Sequence, residues 1–377
     1  MCKLRNLMSM VQNKKNRKRF FIVDGYALLF RAHFALIRNP LITSYGLNTS
    51  ALFGFVNQIL KLNRTEKPDY FACAFDSKGK TFRNDIYDEY KANRPEMPNE
   101  LRLQLPHLWE ILDAMNIPVL KKPGFEADDI IGTLAIQAEK EGLDTYIVSG
   151  DKDFMQLINK NIFLYAPGTK KSPEPKIYDP TLVMEKWGVP PDKFIDLLGL
   201  MGDSSDNVPG VPGVGEKTAV KLINAYGSLE GALDNAEKIS NKRVRKGLIE
   251  GVEKANLSKE LVTIVLDLEL NHTVKDFLKK EISLESCISK FQSLEFQGIV
   301  KQLTNSMYGN NQRKKIDKSI INCIIVYKEK DIDALVKKLL NSKLISLSII
   351  TDGKSASKAK ILGFSFVNEL NSGWYVP

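Results

Sequence analysis

Acidic side chains stand at the ends of three apolar runs in the sequence. The runs FFIV, FACAF and YIVSG lead directly into Asp24, Asp76 and Asp151. A further acid, Asp153, follows two residues after the last of them. Short apolar runs separated by helical patterns predict a parallel α/β sheet. Because the carboxyl ends of parallel strands share one edge of the sheet, we expect these four carboxylates to lie close together.

For two further acidic clusters, the sequence gives weaker evidence that they belong to the same site. The segment GFEADDII carries Glu126, Asp128 and Asp129 at the predicted start of a helix. Acids are favoured there in any case by the free N–H groups and the helix dipole. The segment MGDSSDNVPG carries Asp203 and Asp206, and such residues commonly serve only to form turns. Each cluster alone has a structural explanation, so only the combination indicates a site.

Nine carboxylates gathered at one sheet edge need a counter-charge, since like charges ~4 Å apart cost several kcal/mol even at intermediate dielectric. Hard divalent cations with oxygen ligands remove that cost. Histidine and cysteine are absent from the clusters, which disfavours zinc and favours Mg²⁺ or Mn²⁺. Two such ions about 4 Å apart activate water and stabilise a leaving oxygen, so the acids predict metal-dependent phosphoryl chemistry.

A mixed basic and aromatic segment lies between Asp76 and Pro98. Basic groups can hold phosphates, while aromatic faces can stack on unpaired bases. The segment also contains acids, so an ordinary solvated amphipathic segment is the alternative interpretation. The residues concerned are Lys78, Lys80, Arg83, Lys91, Arg94, Phe82, Tyr87 and Tyr90.

The glycine-rich stretch from Gly210 to Thr218 is a second candidate phosphate site. It is not a P-loop, because Glu216 separates Gly215 from Lys217 and no predicted strand precedes it. A tight hairpin that opens a helix fits the pattern better, with backbone N–H groups facing a phosphate. The stretch therefore predicts a helix-hairpin-helix type of clamp, which holds the DNA backbone without reading bases.

The composition is that of a folded protein, with 377 residues, 54 basic and 45 acidic side chains, and a formal charge of +9. Seven of the basic residues and no acid fall in the first 19 residues, so the net charge mainly reflects a basic extension over residues 1–18. This charge is weak evidence for a nucleic-acid partner. Four dispersed cysteines suit a reducing, cytoplasmic setting. No apolar run approaches the ~20 residues that span a bilayer.

The pattern changes three times along the chain. Residues 19–183 alternate strand-like runs with helical patterns, and residues 184–305 are mainly helical. Residues 306–318 have the composition of a linker. Residues 319–377 begin another α/β pattern, which at ~60 residues is marginal for core burial and is expected to be loosely held.

Along residues 19–305, the order and spacing of the motifs resemble the 5′ nuclease domain of bacterial DNA polymerase I, among the flap-endonuclease-like 5′ nucleases. The resemblance implies a PIN-like parallel sheet with a helical arch, followed by a helix-three-turn-helix clamp. The matching motifs are VDG at 23–25, FD at 75–76, FRNDIYDEYKANR at 82–94, GFEADD at 124–129, SGDKDFMQL at 149–157, GDSSDNVPGVPGVGEKTA at 202–219 and FQSLEF at 291–296.

The resemblance also implies a role for each acid and for part of the clamp. The acids stand at the positions that bind two ions of Mg²⁺ or Mn²⁺ in the family. The clamp hairpin stands where the family grips duplex DNA and often binds K⁺. The implied metal ligands are Asp24, Asp76, Glu126, Asp128, Asp129, Asp151, Asp153, Asp203 and Asp206, and the implied clamp residues are Gly210, Gly213, Gly215, Lys217 and Thr218.

For the substrate contacts, the resemblance places Arg83, Lys91 and Arg94 at arch positions that meet the scissile phosphate. Tyr90 is then a stacking candidate, and Lys78 is a further DNA contact from the same segment. The expected partner is DNA with 5′ flaps, nicks or RNA primers. We expect a monomer that needs no nucleotide cofactor and no membrane.

The region after residue 319 resembles the start of a 3′–5′ proofreading-like domain that stops at Pro377. Where an active proofreading site has Asp-x-Glu, this chain has Ser348 and Ile350. We therefore expect this remnant to be inactive. We expect no polymerase activity from this chain, because the sequence does not include a polymerase domain.

The leading hypothesis is a metal-dependent 5′–3′ exonuclease or 5′-flap endonuclease that acts in repair and primer removal. Two alternatives stay open: a non-catalytic DNA-structure-binding relic of a truncated gene, and a PIN-type ribonuclease. The complete set of acids argues against a relic, and the Gly210–Thr218 hairpin argues against the ribonuclease.

Overall fold

The computed structural model describes residues 17–169, 172–310, 322–342, 344–352, 360–369 and 372–377. Most of the predicted basic extension and residues 311–318 of the predicted linker lie outside these ranges. The chain divides into two compact units, Met1–Val300 and Lys301–Pro377. In the ranges covered, no helix is both long and apolar enough to cross a membrane.

The first unit is built on a six-stranded sheet with the order β3-β2-β1-β4-β5-β6. The first five strands run parallel, and β6 pairs antiparallel with β5. The continuous apolar run of β1 is buried, as is typical of a parallel strand covered on both faces. The strands are β1 Arg19–Asp24, β2 Tyr70–Ala74, β3 Val119–Leu120, β4 Asp144–Val148, β5 Ile162–Ala166 and β6 Lys176–Tyr178.

Helices cross between the strands of this sheet. Two of the acids named above also start helices. Asp24 caps the first and accepts a hydrogen bond from the Ala27 N–H at 3.1 Å, and Glu126 caps another. The parallel sheet followed by a helical region confirms the predicted fold class. The helices are α1 Gly25–Leu36, α2 Ser50–Thr65, α3 Phe82–Ile86, α4 Asn99–Arg102, α5 Leu105–Ala114 and α6 Ala127–Lys140.

The segment predicted as a helical arch is mostly turn. Only the short α3 and the four-residue α4 are helical, and residues 88–93 form turns between them. The helical stretch after Pro98 is divided into α4 and α5, and α5 begins with Leu105 and Pro106. Proline is favoured in the first turn of a helix, because N–H groups there have no acceptor within the helix and proline has none to satisfy. It therefore starts a new helix at this point.

A helical region follows the sheet and contains the predicted hairpin. Two glycines make the hairpin possible, because Gly202 and Gly210 bring two chain segments into backbone contact. A Cβ on Gly210 would lie 2.5 Å from the nitrogen of Gly202, and Gly210 has φ +63°. The helices are α7 Pro180–Trp187, α8 Phe194–Met201, α9 Glu216–Tyr226, α10 Leu229–Asp234, α11 Lys242–Glu250, α12 Val252–Val262, α13 Leu284–Ser293 and α14 Gln297–Asn310. The predicted start of the linker was wrong, because α14 keeps residues 306–310 helical.

The second unit has a four-stranded sheet with the order β7-β10-β9-β8. Its small core consists of Val326, Leu335 and Trp374. The strand β8 is exposed along its whole length, and it carries Ser348 and Ile350. The elements are β7 Asn322–Ile325, α15 Glu329–Leu340, β8 Ser346–Thr351, β9 Ile361–Glu369 and β10 Ser372–Val376.

Candidate active site

One cavity of about 410 Å³ lies at the carboxyl edge of the six-stranded sheet. It gathers seven of the nine acids singled out by the sequence, although they come from five separate segments. Three of the predicted cationic side chains line the same cavity. The lining residues named by the sequence are Asp24, Asp76, Glu126, Asp128, Asp151, Asp153, Asp206, Lys78, Lys91 and Arg94.

Hydrogen bonds from neighbouring backbone and hydroxyl groups fix the acids at the strand ends. The carboxylate of Asp76 accepts from the Ala127 N–H at 2.7 Å, which ties the end of β2 to the start of α6. The other oxygen of Asp24 accepts from the Ser149 hydroxyl at 2.9 Å, across the neighbouring strands β1 and β4. The Asp151 carboxylate accepts from the Asp153 N–H at 3.0 Å. The sheet edge therefore sets where these carboxylates lie.

The electrostatics of the cavity favour cation binding. Burial, with a contribution from the Asp76 charge, raises the pKa of Asp24 from 3.8 to about 7. Burial also raises the pKa of Asp128 and of Asp153, and nearby carboxylates add to both shifts. The pKa of Asp151 is raised in the same way. The raised pKa values show that the charged forms of these neighbouring acids are disfavoured. A bound positive charge would stabilise those charged forms.

The donor chemistry fits a hard divalent cation, because every candidate ligand in the cavity offers oxygen. Imidazole and thiol ligands, which suit zinc, are absent from the lining. In the described part of the chain, no three Asp, Glu, His or Cys side chains form a preassembled metal cage. The carboxylates that would hold a cation in this cavity are those of Asp24, Asp76, Asp128, Asp151 and Asp153.

Asp129 and Arg83, predicted to bind metal and phosphate, pair with each other in the interior of this structure. Arg83 is 1% exposed and Asp129 is fully buried. Two hydrogen bonds of 2.8 Å join the Arg83 guanidinium to both carboxylate oxygens of Asp129. Neither group reaches the cavity, because each satisfies the charge of the other.

The remaining donors of Arg83 connect three parts of the chain. Its Nη1 also donates to Glu126 at 3.2 Å. Its Nε and Nη2 donate to the backbone carbonyls of Leu261 and Thr263 at 2.8 and 2.9 Å. All five guanidinium N–H groups are thus used. Arg83 joins the start of α3, the start of α6 and the end of α12 beside the cavity.

Tyr90 does not offer a stacking face, contrary to the prediction. It is 5% exposed, and its hydroxyl donates to Glu126 at 3.0 Å and lies 3.3 Å from Asp206. The side chain belongs to the core beneath the cavity. Its position instead supports two of the lining acids.

Lys91 and Arg94 line the cavity and pair with its acids. The Lys91 ammonium lies 2.5 Å from Glu126 and 3.6 Å from Asp206. Arg94 donates to Asp206 as well. Burial acts to lower the pKa of Lys91, but the Glu126 and Asp206 carboxylates outweigh it and raise the pKa, so the ammonium stays charged.

Asp203 does not line the cavity. Its carboxylate lies 3.1 Å from the Lys152 ammonium and accepts from the Ser205 N–H at 2.9 Å. Burial acts to raise the pKa of Asp203, but these partners lower it. The acid is therefore a structural anchor of its loop in this arrangement.

The predicted clamp residues lie on the hairpin and not in the cavity. Gly213, Gly215 and Lys217 are exposed, and α9 begins directly after Gly215. Gly210 is buried and its N–H donates to the Ser258 hydroxyl at 2.8 Å, so this N–H cannot also hold a phosphate. The Thr218 N–H donates to the carbonyl of Gly215. Within residues 213–217 the exposed residues are thus Gly213, Gly215, Glu216 and Lys217, while Val214 is buried.

Several cavity residues were not predicted from the sequence. Tyr26 and Phe30 line the cavity from α1, two and six residues after Asp24 and one turn apart. Their spacing of four residues after a strand end was the available signal. No local pattern indicated that Ser149 would bond to Asp24, because the two residues meet only across the sheet.

A buried ion pair without one partner is costly, so the Arg83 arrangement predicts a large loss of stability. We expect Arg83→Met to reduce the free energy of unfolding by about 3 kcal/mol or more, because it leaves the Asp129 charge buried and unpaired. Urea unfolding followed by circular dichroism measures the change. Unchanged stability would show that Arg83 is free to contact a ligand.

The raised pKa of Asp24 predicts a pH-dependent stability when divalent cations are removed with EDTA. The folded state binds this proton more tightly than the unfolded state, so the free energy of unfolding falls as the pH rises from about 4 to about 7. Asp24→Asn keeps the helix cap and abolishes the titration. We expect its stability advantage over the wild type to grow by about 4 kcal/mol across that range. Parallel stability curves for the two proteins would contradict the assignment.

Comparison with protein families matches most of the first unit. Residues 19–188 match the family described as "5'-3' exonuclease, N-terminal resolvase-like domain". Residues 189–285 match the family described as "5'-3' exonuclease, C-terminal SAM fold". The two matches are consecutive and cover the sheet and the helical region that carries the hairpin.

Curated relatives agree with this assignment. The chain is similar to DNA polymerase I of Caldicellulosiruptor bescii, with 46% identity over 75% of this chain and 33% of that protein. It is also similar to DNA polymerase I of Bacillus subtilis, with 36% identity over 96% of this chain and 40% of that protein. It therefore spans about one third to two fifths of the length of these relatives.

A shorter relative matches almost from end to end, and solved structures share the fold. The 5'-3' exonuclease of Aquifex aeolicus is 37% identical over 78% of this chain and 99% of that protein. The T5 5'-exonuclease with bound zinc has a TM-score of 0.54 at 20% identity, over 78% of this chain and 99% of that one. By its matched domains and its relatives, this chain belongs to the 5′–3′ exonuclease family.

Proposed function

We propose that this chain is a divalent-metal-dependent nuclease that cuts DNA from the 5′ side, as a 5′–3′ exonuclease and 5′-flap endonuclease. The observation that carries the proposal is the cavity in which seven carboxylates meet Lys91 and Arg94. Two relatives of this family bear the names DNA polymerase I and 5'-3' exonuclease. A solved T5 flap endonuclease with the same fold, at a TM-score of 0.54, is described in complex with DNA and metal ions.

The cavity residues have distinct parts in the proposed hydrolysis. Two Mg²⁺ or Mn²⁺ ions, when bound, supply an activated water and neutralise charge on the leaving oxygen. The carboxylates at the strand ends would hold the ions: Asp24 ends β1, Asp76 follows β2, and Asp151 and Asp153 follow β4. Lys91 and Arg94 offset the charge that develops on the phosphate.

The hairpin grips the duplex outside the cavity. Its exposed residues Gly213, Gly215 and Lys217 present backbone and one ammonium at the start of α9, where the helix dipole favours a phosphate. We also propose that backbone carbonyls of the hairpin bind a K⁺ ion. Such contacts hold the backbone of any sequence.

The proposed substrates are DNA with 5′ flaps, nicks or RNA primers, met during repair and lagging-strand maturation. Lys78 at the cavity rim is a further contact for the strand. We further propose a cytoplasmic monomer, and no proofreading by the second unit, since β8 carries Ser348 and Ile350 where two acids are needed.

The main test removes two of the acids. Asp151→Asn with Asp153→Asn should abolish Mg²⁺-dependent cleavage of a 5′-labelled flap duplex, because the ions lose their ligands. Binding measured in Ca²⁺ should stay within about threefold of the wild type, since hairpin contacts are unchanged. The matched control is Asp331→Asn with Asp333→Asn, the same spacing on α15 of the second unit.

Undiminished cleavage by the first variant would reject the metal site. Loss of cleavage in the control as well would show a general effect of charge. Preference of the wild type for single-stranded RNA over the flap would favour the ribonuclease, and absence of cleavage with intact flap binding would favour the non-catalytic relic.

Backbone gripping predicts a strong dependence of binding on salt, because phosphate contacts release counterions. We expect the logarithm of the dissociation constant for a flap duplex to rise linearly with the logarithm of KCl concentration. Lys217→Ala should lower that slope by about one. Lys330→Ala, an exposed lysine of the second unit, serves as the control. Equal slopes for all three proteins would argue against a phosphate contact at Lys217.

A further inference from the structure

The backbone of Lys91 is in an unusual conformation. Its φ is +58°, in the left-handed region that side chains other than glycine, asparagine and aspartate seldom adopt. Such a residue keeps that conformation only where its surroundings fix it. One fixing contact is the hydrogen bond of 2.9 Å from the Lys91 N–H to the carbonyl of Asp206. The strained residue is thus tied by its backbone to the loop that carries a cavity acid.

Two asparagines complete this attachment in a reciprocal manner. The Asn93 side-chain amide donates to the carbonyl of Ser204 at 2.7 Å. The Asn207 side-chain amide donates to the carbonyl of Glu89 at 2.7 Å. Each segment thus contributes one asparagine and one carbonyl to the other, on either side of Lys91. We call Asn93 and Asn207 the asparagine clasp.

The loop on the far side of the clasp is itself rigid. Reciprocal backbone hydrogen bonds of 3.0 and 2.8 Å between Asp203 and Val208 close it. The same chain continues directly through Pro209 into the hairpin, and Gly210 is bonded there to Ser258. The loop that is bonded to Lys91 and the hairpin that would hold the duplex therefore lie on one stiff segment of backbone.

We propose that the asparagine clasp is a positioning device for the reaction. It holds Lys91 beside Glu126 and Asp206, and it fixes the position of Lys91 relative to the duplex on the hairpin. The inference rests on the proposed function, because it assigns these residues to the same site. Neither asparagine lines the cavity, so they act through Lys91 and are not catalytic residues. A side-chain hydrogen bond near the surface contributes only ~1 kcal/mol to stability, whereas a 1 Å misplacement of a catalytic group can cost 10²-fold in rate.

The left-handed φ of Asn207, +57°, provides a clean variant. Asn207→Gly removes the amide and keeps a residue that adopts this backbone freely. The matched control is Asn116→Gly, because Asn116 has φ +53° and also donates its side-chain amide to a backbone carbonyl, that of Glu281 at 2.6 Å. Asn116 precedes β3, at the end of the sheet away from the cavity.

The experiment measures Mg²⁺-dependent single-turnover cleavage of a 5′-flap duplex, binding of the same duplex in Ca²⁺, and urea unfolding. We expect Asn207→Gly to cleave about 10- to 100-fold more slowly, with Kd within about twofold of the wild type and stability equal to that of Asn116→Gly. Asn93→Ala should act in the same direction. Asn116→Gly should cleave at the wild-type rate.

A second readout separates positioning from a general structural role. In a Lys91→Ala background, adding Asn207→Gly should slow cleavage less than about twofold, because the group that the clasp positions is gone. A full additional loss in that background would overturn the inference, and so would a wild-type rate for Asn207→Gly. A wild-type chain that shows no Mg²⁺-dependent cleavage would instead overturn the proposed function itself.

Discussion

Repulsion between buried carboxylates is the constraint around which the first unit is organised. Parallel strands bring acids from distant parts of the chain to one edge, and burial there disfavours their charged forms. The fold answers in two ways. Arg83 neutralises Asp129 and Lys152 neutralises Asp203, which takes both acids out of the cavity. The other seven stay around a shared space, where Lys91 and Arg94 pair with Glu126 and Asp206, and Arg83 also reaches Glu126.

The same cations join the sheet to the helical region. Arg83 reaches the carbonyls at the end of α12, and Lys91 is bonded to the loop before the hairpin. Both residues come from the short segment after β2 that the sequence marks as basic. The charge compensation of the site and the cohesion of the two regions therefore depend on the same side chains, and a change at either place affects the other.

Much of the site could be predicted because it depends on topology. Strand ends place Asp24, Asp76 and Asp151 at one edge, and this follows from the apolar runs that precede them. Burial could not be predicted in the same way. Arg83 and Arg94 have the same residue type in one segment, yet only the former meets carbonyls from a segment about 180 residues later. Tyr90 was predicted as an exposed aromatic residue for the same reason, because the local sequence does not show which residues cover its side chain.

The crossing of Gly202 and Gly210 limits how this region can vary during evolution. Any side chain at Gly210 would collide with the backbone of Gly202 and shift the loop that carries Asp206. Ser204, in contrast, accepts a hydrogen bond from Asn93 through its backbone carbonyl, which every amino acid provides. Among homologous sequences, drift should therefore concentrate at the exposed position 204 and be nearly absent at the two glycines. The sequence of this loop would then reflect space for the backbone as much as chemistry.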